Sequence, residues 1–87
     1  MRKIFQTAEF SAQVADLEEH GTRVRDFLRA LKAKLQRNPE FGTKVRDDPP
    51  LWFVPTPDII QQPLCASYTF DDDRIILISL WISERGG

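Results

Sequence analysis

The chain has 87 residues, a hydrophobic content of 41% and a net charge of −1. This length provides one small domain, which buries roughly 60 to 65% of its unfolded surface, and the hydrophobic content is too high for a disordered chain. The longest apolar run, 75–82, is far below the roughly 18 residues of a membrane span, and no apolar stretch of a secretory signal follows the N-terminal charges. The single Cys65 excludes an internal disulfide. We therefore expect a cytoplasmic protein with no cofactor.

Charge is distributed unevenly along the chain. Residues 22–46 hold eight basic and two acidic residues, whereas the segments on either side are acidic. A basic middle of this kind favours a polyanion or an acidic protein as the partner, and the acidic flanks reduce non-specific attraction to nucleic acid.

The chain begins with a short segment of extended character, residues 2–6. Thr7 follows in the position of a helix N-cap. Apolar residues then recur at i, i+4 and i+7, namely Phe10, Val14 and Leu17. This spacing puts them on one face of a helix with a 3.6-residue period, so we predict a first helix that begins after Thr7.

Gly21 predicts the end of this helix, because glycine adopts the left-handed conformation at little cost. Thr22 is placed to cap a second helix, which Asn38 and Pro39 stop. Between these signals runs an apolar stripe of Val24, Phe27, Leu28, Leu31 and Leu35. We predict two helices that meet at a tight corner.

Prolines exclude helix from the second half of the chain. Residues 51–54, bracketed by prolines, predict a very short strand, and residues 64–70 predict a longer one. The acidic residues 71–73 predict the turn into a last strand, 74–83, whose nearly continuous apolarity indicates a central strand covered on both faces. The predicted fold class is α+β, a single domain over residues 1–87 in the order β-α-α-β-β-β, with a helical hairpin packed on a small antiparallel sheet.

Three sequence segments make this order more specific. They are the opening IFQTAEFSAQVADL, the exit from the second helix LQRNPEFGTKVRD, and the closing hairpin ASYTFDDDRIILISLWI. In these segments the chain resembles the RelE/ParE superfamily of bacterial toxins. In that family the second helix leaves through an Asn-Pro-x-x-Gly type turn, and a strand containing tyrosine turns through acidic residues into an apolar last strand. The resemblance covers residues 2–46 and 64–83.

The resemblance implies the toxin component of a type II toxin-antitoxin system, bound by a cognate antitoxin and acting on messenger RNA at the ribosome or, in the ParE branch, on DNA gyrase. Ribonuclease members place an arginine where this chain has Cys65, and a tyrosine or histidine in the stretch that here holds Ser83, Glu84 and Arg85. Ribonuclease activity is therefore expected to be degenerate. The alternatives are a non-enzymatic protein-interaction module that retains the toxin fold and a gyrase inhibitor similar to ParE.

Cleavage of RNA by its 2′-hydroxyl needs a proton acceptor, a proton donor and a cation that holds the phosphate charge. Arg46, Tyr68 and Arg85 are the catalytic candidates of these types. Each also has an ordinary structural interpretation: Arg46, like Lys44, in a solvated loop after the second helix, Tyr68 as a half-buried sheet residue, and Arg85 in a frayed terminus.

The candidates for nucleic-acid or partner binding are basic residues and one tryptophan: Arg25, Arg29, Lys32, Lys44 and Trp52. The basic residues of the second helix surround its apolar stripe, which is also the pattern of a solvated face. Alternation sends Trp52 and its neighbour Phe53 to opposite faces of a strand, so that one of them is available to an antitoxin or to a second copy of the chain.

We predict no metal site. The three aspartates 71–73 are adjacent and fit a solvated hairpin turn better than an ion-binding loop. His20, near the end of the first helix, suits a capping or exposed position. Cys65 has no flanking cation that would lower its pKa and is expected to be a buried structural thiol.

Overall fold

The computed structural model describes residues 2–20, 24–54 and 64–82. The predicted boundary at Gly21 and Thr22, the end of the last strand at Ser83 and the candidate Arg85 lie outside these ranges. In chain order the elements are β1 Lys3–Gln6, α1 Ala8–Glu19, α2 Val24–Arg37, β2 Thr43–Asp47, β3 Pro50–Val54, β4 Leu64–Phe70 and β5 Arg74–Ile82.

The strands form one sheet in the order β1-β5-β4-β3-β2. Strands β2 to β5 are joined as an antiparallel meander, whereas β1 pairs with β5 in parallel, Lys3 lying opposite Arg74. The α+β class and the helical hairpin on the sheet are confirmed, and β5 is an interior strand, between β1 and β4, as its apolarity predicted. The sheet differs from the prediction in being mixed and in having one further strand.

That further strand is β2. Our prediction of a loop at Lys44 and Arg46 is wrong, because both residues lie on β2, which pairs with β3 at one edge of the sheet. All five side chains of β2 are exposed, and a bulge falls between Lys44 and Arg46. A strand that buries no side chain needs no apolar alternation, which is why the sequence did not predict it.

Helix α1 is fixed to β5 at its first turn. The predicted N-cap is confirmed, because Thr7 Oγ1 accepts a hydrogen bond from the Phe10 amide at 3.0 Å. The same hydroxyl donates to the Ile78 carbonyl oxygen at 2.6 Å, and the Thr7 amide donates to the Leu77 carbonyl oxygen at 3.0 Å. One residue thus begins the helix and joins it to the interior strand of the sheet.

The core lies between the helices and one face of the sheet, which we call the inner face. The predicted helix stripes are confirmed, since Phe10 and Leu17 of α1 are buried with four residues of α2, while Val14 and Leu28 pack at the margin. The inner face contributes Val54, Leu64, Ala66, Tyr68, Ile75, Leu77 and Leu80. None of the helices in the described ranges has the length and apolarity needed to cross a membrane.

Candidate functional site

Tyr68 joins β4 to the turn that follows α2. Its hydroxyl donates a hydrogen bond to the carbonyl oxygen of Pro39 at 2.6 Å and accepts one from the amide of Gly42 at 3.0 Å. The turn, residues 38–42, is closed by a hydrogen bond from the Phe41 amide to the Asn38 carbonyl oxygen at 2.9 Å. The Asn-Pro-x-x-Gly segment and the tyrosine strand are therefore in direct contact.

The backbone at position 42 lies so close to β3 and to Tyr68 that it requires a glycine. A Cβ atom at Gly42 would overlap the carbonyl oxygen of Phe53 and would lie 2.9 Å from the Tyr68 hydroxyl oxygen. The Phe53 oxygen belongs to the backbone of β3, which cannot move away as the end of a flexible side chain can. Gly42 therefore lets the turn, β3 and β4 meet at one point.

Tyr68 is fully buried, not half-buried as predicted. Burial raises the pKa of its hydroxyl, an effect that the hydrogen bond from Gly42 partly offsets and the charge of Glu40 reinforces. A hydroxyl enclosed in the core, with backbone partners as both donor and acceptor, is suited to holding the turn and not to transferring a proton to a substrate.

The catalytic candidates are not brought together in the part of the chain that is described. Arg46 lies opposite Leu51 in the sheet, while Tyr68 lies opposite Trp52, so the two candidates point to different faces. The Arg46 Nε atom donates to the carbonyl oxygen of Pro49 at 3.2 Å, within its own hairpin. Arg85 lies outside the described ranges. The geometry therefore assembles no ribonuclease site from Arg46 and Tyr68.

Two of the binding candidates, by contrast, do meet. The Lys44 Nζ atom lies 6.0 Å from the centre of the Trp52 ring, and Lys44 also pairs with the Asp47 carboxylate at 3.2 Å. The Trp52 ring in turn lies 5.3 Å from the ring of Phe70, and the Arg2 guanidinium lies 5.7 Å from the centre of the Phe70 ring. We call Lys44, Trp52, Phe70 and Arg2 the cation-aromatic row.

Sequence reasoning missed Arg2 and Phe70. Arg2 stands before β1 and Phe70 at the end of β4, and they meet because β1 and β4 lie on either side of β5. The one available signal was that Arg2 begins the first extended segment and Phe70 ends another, but their pairing depends on the strand order, which a single sequence does not give.

The other binding candidates lie on α2. Arg25, Arg29 and Lys32 follow each other at i, i+4 and i+7, and Gln36 continues the series, so all four fall within about 60° around the helix. Arg25 donates to the Glu18 carboxylate of α1 at 2.5 Å. Among the described residues, neither Arg29 nor Lys32 forms an ion pair. The basic residues of α2 surround its apolar stripe, and three of them, Arg25, Arg29 and Lys32, also share one side of the helix.

The opposite face of the sheet, which we call the outer face, carries a second aromatic pair. As alternation predicted, Phe53 points away from Trp52, and its ring meets that of Trp81 edge to face at 5.4 Å. The Cys65 thiol lies here and is half-buried, whereas a buried thiol was predicted. It donates a weak hydrogen bond to the Val54 carbonyl oxygen at 3.6 Å. Burial raises the pKa of Cys65, which disfavours the reactive thiolate. At the β1 edge, Phe5 is 49% exposed.

The acidic turn and the histidine occupy structural positions, as expected. The Asp71 carboxylate accepts hydrogen bonds from the amides of Asp73 and Arg74 and from the Arg74 side chain, which together hold its pKa below the usual range. His20 is the exposed C-cap residue of α1. Within the described ranges no group of acidic, histidine or cysteine side chains is arranged to hold a metal ion.

Comparison with known families and with characterised proteins gives no identification. No protein-family model matches the chain. No curated protein matches it either.

Proposed function

We propose that the chain is the toxin component of a bacterial type II toxin-antitoxin pair, a divergent relative of the RelE/ParE superfamily that acts in the cytoplasm. Its target is bound and not cleaved, as with a ParE-like inhibitor of DNA gyrase. The cognate antitoxin is a second protein that holds the toxin inactive until it is released.

The contact between Tyr68 and the 38–42 turn carries this proposal. The resemblance rests on segments far apart in the sequence, and the hydrogen bonds from Tyr68 to Pro39 and from Gly42 to Tyr68 join the second-helix exit to the closing hairpin. The two segments that carry the resemblance therefore lie against each other in the fold. The order of strands and helices around the joint also supports the proposal.

The placement of the catalytic candidates favours binding over cleavage. Ribonuclease chemistry needs its acid, base and cation around one phosphate, whereas Arg46 and Tyr68 point to different faces of the sheet. The same observation favours a second candidate function, a non-enzymatic interaction module that keeps the toxin fold and does not arrest growth.

Induced expression in a bacterial host tests the proposal. We expect growth to stop on induction and to recover when the neighbouring short reading frame, encoding the antitoxin, is expressed at the same time. Purified protein should inhibit supercoiling by gyrase and should leave translated messenger RNA intact. Normal growth, together with unaffected gyrase and messenger RNA, would contradict the toxin proposal. The non-enzymatic interaction module would then be the remaining candidate function. Arrest with cleaved messenger RNA would contradict the binding mode.

A further inference from the structure

We propose that the outer face of the sheet is a dimerisation surface, on which a second copy of this chain packs sheet against sheet. The surface goes beyond the proposed toxin function and does not depend on it, because it is argued only from the residues of this face and of the two edge strands.

The outer face is apolar although both helices pack on the inner face. Alternation along the strands, the pairing of Phe5 with Ile76 and the contact of Phe53 with Trp81 assign large apolar side chains to it. Phe5 is 49% exposed and the others are only partly buried. An apolar patch of this kind marks an interaction surface on a small protein. The set is Phe5, Leu51, Phe53, Ile76 and Trp81.

Polar groups in the middle of this face already have partners. Ser67 lies on the outer face because it pairs with Phe53, and its hydroxyl shares a hydrogen bond of 2.6 Å with the hydroxyl of Ser79. The Cys65 thiol donates to the Val54 carbonyl oxygen. A partner can therefore displace water from the face without leaving the two serine hydroxyls unpaired, which would cost free energy.

The charge of the face indicates the class of partner. Among the described residues, charged side chains lie only at its margin: Arg46 on the edge strand β2, and Lys3, Arg74 and Asp71 at the end where β1 and β5 begin. A polyanion or an acidic protein would find no cation in the middle. The matching occupant is an uncharged apolar surface, and a second copy supplies one. In a two-fold dimer the same patch of both copies meets, so the neutral centre brings no like charges together.

The two edges of the sheet are less suited to self-association than its face. On β2, antiparallel pairing centred on Val45 would put Lys44 of each copy opposite Arg46 of the other, and the bulge between these two residues interrupts the edge. On the other side, β1 has only four residues, and the carbonyl oxygen of Arg2 just before it accepts a hydrogen bond from Gln36 at 2.6 Å. Two copies therefore associate through the face and not by extending the sheet.

The dimensions of the face set the expected affinity. From Phe5 on β1 to Phe53 on β3 it crosses four strands, roughly 15 Å, and from Ile76 to Trp81 it extends roughly 17 Å along β5. With margins for the side chains this is about 400 Å² in projection, a small patch beside the standard interface of about 800 Å² of accessible surface per partner. We therefore expect a weak dimer, with a dissociation constant in the micromolar range and the two sheets about 10 Å apart.

Sedimentation equilibrium of the full chain, from low micromolar to millimolar concentration, measures the association. The average mass should rise from that of the monomer towards twice that value. The rise should persist at high salt, because apolar contacts and not ion pairs hold the copies together. An association through the acidic and basic surfaces of the helices would instead weaken as salt is added.

The two tryptophans report on which face is covered, since Trp81 lies on the outer face and Trp52 packs against the core on the inner face. Trp52→Phe leaves Trp81 as the only indole, and its emission should shift to the blue with the same concentration dependence as the mass. Trp81→Phe leaves Trp52, whose emission should stay constant at concentrations where sedimentation detects the dimer of this variant.

Variants at position 5 assign the association to this face. Phe5→Glu places a charge in it and should weaken association by roughly tenfold or more, whereas Phe5→Leu keeps an apolar side chain and should weaken it less. Ala12→Glu is the control, since it places the same charge on the exposed side of α1, away from the sheet, and should have no effect. Circular dichroism of dilute protein checks that each variant folds, and the fluorescence test needs no change at Phe5.

Several results would overturn the proposal. A mass that stays monomeric at every concentration would leave the outer face to a different protein. Association that is lost at high salt would assign it to the charged helices. Equal effects of Phe5→Glu and Ala12→Glu, or a shift of Trp52 emission without one of Trp81, would place the contact elsewhere on the molecule.

Discussion

The hydroxyl of Tyr68 donates a hydrogen bond to the carbonyl oxygen of Pro39 at 2.6 Å, across 29 positions of the sequence. Together with the return bond from the Gly42 amide it fastens the exit of α2 to an interior strand of the sheet. These two hydrogen bonds connect the segments that carry the family resemblance. Substitutions that remove them measure their contribution to the stability of the fold.

Tyr68→Phe should destabilise the fold by about 1 to 3 kcal/mol, because the Pro39 carbonyl oxygen and the Gly42 amide each lose a partner in a site with little access to water. Urea denaturation measures this as a lower midpoint with an unchanged m-value. Thr69→Val is the matched control, since it removes a hydroxyl from the same strand that bonds to no other described residue. Equal midpoints for Tyr68→Phe and the wild type would mean that the joint contributes nothing.

Gly42→Ala should cost about 1 to 3 kcal/mol through overlap of the new methyl group with the backbone of Phe53. Most of this cost should persist in the Tyr68→Phe background, because removing the hydroxyl relieves only the 2.9 Å contact. A double-mutant cycle of denaturation midpoints separates the two contributions. If the alanine became harmless in the Phe background, the hydroxyl and not the β3 backbone would be what requires glycine.

Thr7→Ala should destabilise the protein by about 1 to 2 kcal/mol, because it removes both the N-cap of α1 and the hydrogen bond to Ile78. Thr7→Ser keeps the hydroxyl and should retain most of the stability. Thermal unfolding followed by circular dichroism compares the two variants. Equal losses would show that the threonine methyl group, and not its hydroxyl, is what matters.

Asp71 should make stability depend on pH in the acid range. Its pKa in the folded state lies below the ordinary value of about 3.9, so its charge stabilises the fold above that value, and the contribution is lost as pH falls through the folded pKa. Asp71→Asn keeps the side-chain oxygen and removes the charge. The stability difference between wild type and this variant should therefore shrink as the pH of urea titrations is lowered below about 4.

Asp72→Asn is the control for that titration, since this neighbour forms no hydrogen bond or ion pair with another described side chain. Comparison of Asp72→Asn with Asp71→Asn separates the hydrogen bonds and ion pair of Asp71 from the charge that both substitutions remove. A pH-dependent difference as large as that of Asp71→Asn would assign the effect to the general charge of the turn.

The helices could be predicted from the sequence because their signals are local. Thr7 stands directly before the helix it caps, and the apolar periods on either side of residue 21 are the two buried stripes. The last strand was predictable for a similar reason, since its apolar run is nearly continuous. The prediction that both of its faces are covered is wrong, because Ile75, Leu77 and Leu80 are buried whereas Ile76, Ile78 and Trp81 are only partly buried.

The remaining features depend on contacts between distant segments. The parallel pairing of β1 with β5 and the exposed strand β2 leave no periodic pattern in the sequence. Trp52 and Lys44 could be proposed as a surface from their residue types, but Phe70 and Arg2 join them only through the strand order. Tyr68 was considered for catalysis because its bonds to the 38–42 turn cannot be inferred from a tyrosine in a strand.

Growth after induction of wild type, Arg46→Ala and the Gly42→Ala/Tyr68→Phe double variant tests the central claim most directly. If the chain is a toxin that binds its target, wild type and Arg46→Ala should both arrest growth, and the double variant, whose fold is weakened at the joint, should not. Normal growth after induction of wild type, at protein levels matched to those of the variants, would contradict the toxin assignment. Cleaved messenger RNA in arrested wild-type cells, lost together with arrest in Arg46→Ala, would contradict the binding mode and restore the ribonuclease interpretation.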